Sequence, residues 1–451
     1  MNCKIYLFLI ACLCCHISSA QSFLGAWQGE LSIGSTRLPL LFEIRYDGQW
    51  SGTMQSPKQN PTRFPFSRIE VQGDSLFLAI RKLGVSYAGR LSEERTEIDG
   101  TFTQGGVQVA LQLARSDSAI RAPRRTQRVL PPYDYDTLDV TFPNTIDGHQ
   151  LAGTITRPKR AGTFPAVVLV SGSGPHDRNE SMMGHEPFKV LADYLTGKDI
   201  VVLRYDDRGI GESAGDFAKA TTGDFGGDAL AALDFLANQP KVDAGRIGVL
   251  GHSEGGLIAT ILAGQQVENL SFIISLAGPT IPMDSLLLLQ NEAIMASVGQ
   301  QMTASDRAMI KRNYRLAASE LPAKEAFNKI LQNMKDIQGS QDFDGADQIG
   351  ALVTPWFRHF LRIDPEPFIA QITVPVFAAY GGKDIQVPAR PNQEALMRHL
   401  RADSRHHIKT YPSLNHLFQH AQTGTVSEYE SLEETLSAEL MDDLAEWIKF
   451  R

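Results

Sequence analysis

A chain of 451 residues, 43% hydrophobic and 21% charged, is large enough for two or three folded domains and has the composition of a globular protein. Its formal charge of -8 argues against nucleic acid and anionic membrane surfaces as main partners. Its 4 cysteines, Cys3, Cys12, Cys14 and Cys15, crowd the N-terminus, which excludes a disulfide framework or a cysteine-held metal from the rest of the chain.

Lys4, the apolar run from Ile5 to Cys15 and the small residues Ser18-Ser19-Ala20 before Gln21 read as a secretory signal over residues 1–20. The run is too short to cross a hydrocarbon core of ~30 Å. Leu9-Ile10-Ala11-Cys12 also resembles a lipoprotein cleavage box, which leaves lipidation open as an alternative. The expected location is the periplasm or the medium, and loss of Lys4 takes the charge from -8 to -9.

Residues 21–113 carry short alternating segments and tight turns. Leu40, Phe42 and Ile44 alternate with Leu41, Glu43 and Arg45 ahead of Asp47-Gly48, and Val107, Val109, Leu111 and Leu113 follow Gly105-Gly106. A small all-β domain, barrel or sandwich, is expected. Gly25-Ala26-Trp27 resembles the opening of lipocalin-like barrels, with Trp27 either beside a ligand cavity or plugging the core. Residues 114–136 are rich in Arg and Pro and read as a linker.

From Thr137 the pattern becomes strands alternating with amphipathic helices, the signature of an α/β domain over 137–451. Expected strands are Thr137–Phe142, Gln150–Thr156, Ala166–Val170, Ile200–Arg204, Ile247–Leu250, Phe272–Leu276, Val376–Tyr380 and Ile408–Tyr411. A helix over Asp224–Asn238 follows a capping pair at Thr221 and Asp224. Residues 279–371 carry helical periodicity with little strand signal and read as a helical lid. Leu286, Leu287, Leu289, Met295, Trp356, Phe357 and Phe360 form its own core, or in part line an acyl pocket.

Chemistry concentrates in Gly251-His252-Ser253-Glu254-Gly255. A Gly-x-Ser-x-Gly turn between strand and helix holds its serine in a strained conformation that only small neighbours tolerate. The N–H of Glu254, at the helix start, points where an oxyanion would form. A serine hydroxyl needs a base and a group that orients the base. Asp384 follows the strand Val376–Tyr380 and His416 follows the next strand, so both belong to the sheet rim that carries Ser253. Asp403 and Glu394 compete with Asp384, and His420 with His416; His252 is set aside as base because it points away from the elbow. Ser171-Gly172-Ser173-Gly174-Pro175 supplies the second oxyanion donor, Ser173 N–H in preference to Gly174. No lysine in P-loop position accompanies these glycines, and His416-x-x-x-His420 lacks the companions of a metal site, so no cofactor and no metal are expected.

Four segments carry a family likeness over roughly 137–451: Ser171-Gly172-Ser173-Gly174-Pro175-His176-Asp177-Arg178, Asp206-Asp207-Arg208-Gly209-Ile210-Gly211-Glu212-Ser213, the Gly251–Gly256 elbow, and Asn415-His416-Leu417-Phe418. In them the chain resembles the bacterial α/β-hydrolase superfamily and, within it, exported serine esterases of the EstD type that carry an N-terminal extension. The resemblance implies hydrolysis of short-acyl carboxylic esters without a cofactor, and a bracing role for Asp206–Ser213 behind the oxyanion loop. Aminopeptidases, thioesterases and acyltransferases share the superfamily, so amide hydrolysis stays open; it would need an acidic lid residue such as Asp284, Glu292 or Glu320 to bind a free amine.

Overall fold

The structure is a computed structural model that describes residues 21–33, 36–56, 60–104, 107–116, 125–297, 299–338 and 346–451. The signal reading over 1–20 lies outside these residues. The chain divides into two units, one up to Arg124 and one from Arg125.

In the first unit, alternation of apolar and polar side chains builds nine strands: β1 (Gly25–Ile33), β2 (Thr36–Tyr46), β3 (Trp50–Ser56), β4 (Asn60–Pro65), β5 (Arg68–Gln72), β6 (Ser75–Ile80), β7 (Val85–Leu91), β8 (Glu97–Gln104) and β9 (Val107–Ser116). They form one antiparallel sheet in the order β4-β3-β2-β1-β9-β8-β7-β6-β5. The expected all-β unit thus takes the form of a curled half-barrel with β4 and β5 as edges. Between those edges, Phe66 donates its N–H to the Gly52 carbonyl of β3 (2.9 Å). Leu40, Phe42 and Ile44 point inward as their period requires. Trp27 is a core residue: it is wholly buried, its Nε1 donates to the Phe23 carbonyl (2.9 Å), and the Arg115 guanidinium lies 4.7 Å from its ring.

The segment read as a linker is only partly one. Its first residues complete β9, and from Arg125 onward it is bound into the second unit. Arg125 donates to the carbonyls of Met183, Gly184, Glu430 and Leu432, and Gln127 bonds to Thr435 and Leu436. The composition of the segment reports its lack of apolar period, not its tertiary hydrogen bonds.

The second unit is an eight-stranded sheet ordered β10-β11-β13-β12-β14-β15-β16-β17, antiparallel at β10, β11 and β13 and parallel thereafter. Its strands are β10 (Tyr135–Pro143), β11 (Gln150–Pro158), β12 (Phe164–Val170), β13 (Val201–Tyr205), β14 (Val242–His252), β15 (Phe272–Leu276), β16 (Val376–Gly381) and β17 (His407–Tyr411). Helices cover both faces, so β12 is apolar on both sides: Ala166, Val168 and Val170 face the helices Thr222–Ala237 and Glu254–Gly264, while Val167 and Leu169 face Pro187–Gly197 and Ala438–Lys449. Each buried Val or Leu among them contributes about 1.5–3 kcal/mol of transfer free energy, which anchors this strand beneath the loops above it. The helix expected over Asp224–Asn238 runs Thr222–Ala237, and its Thr221–Asp224 capping box is present.

Between β15 and β16 stand the helices Met283–Ser297, Ala304–Ala318, Ala323–Gln338, Ala346–Leu352, Pro355–Phe360 and Glu366–Ile369. Tyr314, Ala317, Ile330, Ile349 and Leu361 form a core within this insertion. A second cluster joins Met283, Leu286 and Phe360 to Leu257 of the helix Glu254–Gly264 and to Val387 of the loop after β16. Among the described residues, no helix is long and apolar enough to cross a membrane.

Candidate active site

β14 ends in the elbow. Ser253 has φ 54° and ψ -116°, a backbone conformation that costs an L-residue about 1–3 kcal/mol and persists because its neighbours leave no alternative. An added Cβ at Gly251 would run into the Gly255 backbone, and one at Gly255 into the Val170 carbonyl. At Gly256 it would lie 2.8 Å from Gly278 Cα. The glycines therefore let the elbow, β12 and the loop after β15 close on one another.

Register brings the other loops to the same rim. Val170 pairs with Gly251, so the loop beginning at Ser171 emerges beside the elbow; a Cβ on Gly172 would meet Ser253 Cβ at 3.2 Å. Gly381 pairs with Tyr411, and the loops that follow are stitched by Gly382 N–H to the Tyr411 carbonyl (2.8 Å) and Lys383 N–H to the Leu414 carbonyl (2.9 Å). Asp384 and His416 meet across this seam, His416 Nδ1 to Asp384 Oδ2 at 2.7 Å, both buried. The other oxygen of Asp384 accepts the N–H groups of Gln386 (2.7 Å) and Val387 (2.9 Å), which fixes the carboxylate plane. Asn415 Oδ1 accepts the N–H groups of Leu417 and Gln419, both at 3.0 Å, and so shapes the turn that presents His416.

Among the described residues no hydrogen bond joins Ser253 to His416, whose Nε2 carries no protein partner. Nucleophile and base commonly stand apart until substrate arrives. His252, next to Ser253 in the chain, has its ring centroid 4.8 Å from that of His416. The competing residues lie elsewhere: Asp403 pairs with Arg405, Glu394 with Arg390, and His420 with Glu434 on the surface.

The N–H of Gly172 is taken by Glu180 Oε1 (2.9 Å), whereas among the described residues no protein acceptor takes the N–H of Ser173 or of Glu254. Asp206 and Asp207, on the loop after β13, fasten the segment behind. Asp207 accepts Ser171 Oγ (2.6 Å) and His176 N–H (2.8 Å), and Asp206 accepts Arg178 N–H (2.7 Å) and its guanidinium. Burial raises the Asp207 carboxyl to about 7 against the pull of these donors.

Three groups escaped the reading of the sequence. Glu180 is buried and bonds His252 Nδ1 at 2.8 Å; His252 Nε2 in turn lies 3.0 Å from the His416 carbonyl. Both ring nitrogens thus face oxygen atoms, an arrangement that an imidazolium beside an ionised Glu180 satisfies, in line with the upward shift of His252 and the downward shift of Glu180. The Glu254 carboxylate folds back to Ser173 of the loop after β12 instead of facing solvent. Trp356, from the insertion, reaches that carboxylate. A helix-start Glu and an insertion Trp carry no local signal of such partners.

The family described as serine aminopeptidase, S33, is matched over residues 166–421. Esterase EstD of Thermotoga maritima is 26% identical over 333 residues, covering 72% of this chain and 71% of that protein. The uncharacterized peptidase YuxL of Bacillus subtilis is 32% identical over 129 residues, 27% of this chain and 19% of that protein. The Pyrococcus furiosus esterase PF2001 is similar in structure with TM-score 0.45 and 17% identity, covering 73% of this chain and 98% of that chain. The matched span runs from β12 through the elbow and the insertion to the loop of His416, and the chain is a serine hydrolase of α/β-hydrolase fold that belongs to the serine aminopeptidase S33 family.

Proposed function

We propose that the protein hydrolyses small carboxylic esters with short acyl groups through a Ser253–His416–Asp384 triad. Ser253 Oγ attacks the ester carbonyl while His416 Nε2 takes its proton. The tetrahedral oxyanion accepts the N–H groups of Ser173 and Glu254. Its collapse expels the alcohol, protonated by His416, and leaves an acyl-enzyme; water, deprotonated by His416, releases the acid. No cofactor enters these steps. The observation that carries the reading is the buried Asp384–His416 pair at the rim where Ser253 is held at φ 54°.

The ester preference is supported by the likeness to esterase EstD and by the acids that an aminopeptidase would need. Glu320 is 92% exposed and paired with Arg362, Glu292 is paired with Arg307, and Asp284 is exposed. Glu320 and Glu292 are thus engaged by arginines instead of being free for a substrate ammonium. Export to the periplasm or medium, through removal of residues 1–20, is part of the same proposal.

Turnover of p-nitrophenyl acetate and butyrate by wild type and Ser253→Ala tests the chemistry. The variant is expected to lose on the order of 10⁶ in kcat. Near-wild-type turnover would remove Ser253 from the reaction, and faster cleavage of aminoacyl p-nitroanilides than of esters would overturn the substrate class.

A further inference from the structure

Glu254 is 2% exposed although it opens a helix at the rim of the sheet. Its carboxylate takes hydrogen bonds from three side chains on three separate elements. Ser173 Oγ, from the loop after β12, donates to Oε2 at 2.7 Å. Thr222 Oγ1, at the first turn of the helix Thr222–Ala237, donates to Oε1 at 2.7 Å. Trp356 Nε1, from the insertion helix Pro355–Phe360, lies 2.9 Å from Oε1 and 3.1 Å from Oε2. A carboxylate offers about four acceptor sites, so these contacts occupy it and leave nothing for substrate. Desolvation lifts its protonation above the usual carboxylate range, while the three donors and the helix N-terminus favour the anion.

These partners matter because of the main-chain groups they share. Among the described residues no protein acceptor takes the N–H of Ser173 or of Glu254, and these two stand as oxyanion donors under the reading above. The side chain of one grips the side chain of the other. Trp356 closes the arrangement from the insertion, where its ring stacks on Phe360 (centroids 5.1 Å apart). We infer that the Glu254 carboxylate is a positioning residue that sets the spacing of the two oxyanion donors, and that Trp356 links the helical insertion to this spacing. The inference rests on the proposed Ser253 chemistry.

Wild type, Glu254→Ala, Glu254→Gln, Ser173→Ala and Trp356→Phe separate the two questions. In each we would measure kcat and KM on p-nitrophenyl butyrate, inhibition by butylboronic acid as a tetrahedral mimic, and thermal unfolding. Glu254→Ala is expected to lower kcat and boronate affinity together, on the order of 10²-fold, because misplacing an oxyanion donor resembles losing it. KM should change little. Glu254→Gln restores part of both, since its amide oxygen accepts from Trp356 and Thr222 and its amide nitrogen donates to Ser173 Oγ. Trp356→Phe, which keeps the ring, and Ser173→Ala should each cost roughly tenfold in both readouts and combine less than additively, because they act through one carboxylate.

Unchanged boronate affinity in folded Ser173→Ala and Trp356→Phe would overturn the inference, as would a loss confined to melting temperature. These two variants keep the test open if Glu254→Ala does not fold. If wild type neither binds the boronate nor is labelled at Ser253 by a fluorophosphonate, the triad reading itself fails; labelling with unmoved boronate affinities sinks only this inference.

Discussion

Two buried histidine–carboxylate pairs stand side by side in this protein, Asp384–His416 and Glu180–His252, with ring centroids only 4.8 Å apart. Each holds its imidazole by Nδ1. They differ at the other nitrogen: His416 Nε2 has no protein partner among the described residues, whereas His252 Nε2 is committed to the carbonyl of His416 itself. A histidine with one free nitrogen can pass a proton back and forth; one with both N–H groups engaged is a bracket. The second pair therefore also touches the first through the main chain. It ties the loop after β12, through Glu180 and Gly172, to the turn that carries His416.

Breaking the first pair is expected to have the largest effect. Asp384→Asn leaves an acceptor for the Gln386 and Val387 N–H groups but not the carboxylate that holds His416 in its tautomer. A loss on the order of 10⁴ in kcat, with thermal unfolding near wild type, is the expected outcome on p-nitrophenyl butyrate. Loss below tenfold would mean that Asp384 does not orient the base.

Breaking the second pair should act on stability first. Glu180→Gln strands a buried imidazolium and is expected to cost about 3–5 kcal/mol in chemical denaturation. Its pH dependence sharpens the comparison. Burial pushes His252 down, but the charge and hydrogen bond of Glu180, helped by the His416 carbonyl and by Asp384, outweigh it and hold His252 above its ordinary value. Burial likewise pushes Glu180 up, and His252, His176 and the Gly172 N–H bring it below the carboxylate range. The raised histidine contributes fully below its unfolded value of ~6.5 and loses its contribution as pH rises through the folded value. The depressed Glu180 contributes above ~4.3 and loses its contribution as pH falls through its folded value. The gap in stability between wild type and Glu180→Gln should thus be widest in the mildly acidic window between ~4.3 and ~6.5, where both contributions are complete, and narrow on both sides. A gap independent of pH would contradict an ionised pair.

The smallest effect belongs to the histidine that competed with His416 in the sequence. His420→Ala removes only a surface contact to Glu434, and ester turnover should stay within about twofold of wild type. A larger loss would reopen the assignment of the base.

Much of this was legible in residue order. The strand Phe272–Leu276 ends where its apolar run ends, and Asp384 and His416 sit beyond strands whose ends the pattern located. Such features are local: a buried strand needs a continuous apolar run, and an elbow needs glycines at fixed offsets. β14 begins at Val242, before the Ile247 that opens its apolar run, because Phe164 pairs with Val242 ahead of a register shift. The half-barrel was equally hidden, since alternation marks strands but not whether their outer edges pair. Glu180, the Glu254 carboxylate and Trp356 gain meaning only from partners brought by tertiary structure; Trp356 lies 102 positions from Glu254. An acidic residue after the serine announces its amide by position, while its carboxylate has no sequence signal.

The most direct test of the whole account is to quench the enzyme during turnover of p-nitrophenyl butyrate and map the acylated peptide by mass spectrometry. The account predicts a butyryl group on Ser253, accumulating in wild type and absent from Ser253→Ala. An adduct on another residue, or steady ester hydrolysis by Ser253→Ala at the wild-type rate, would contradict it.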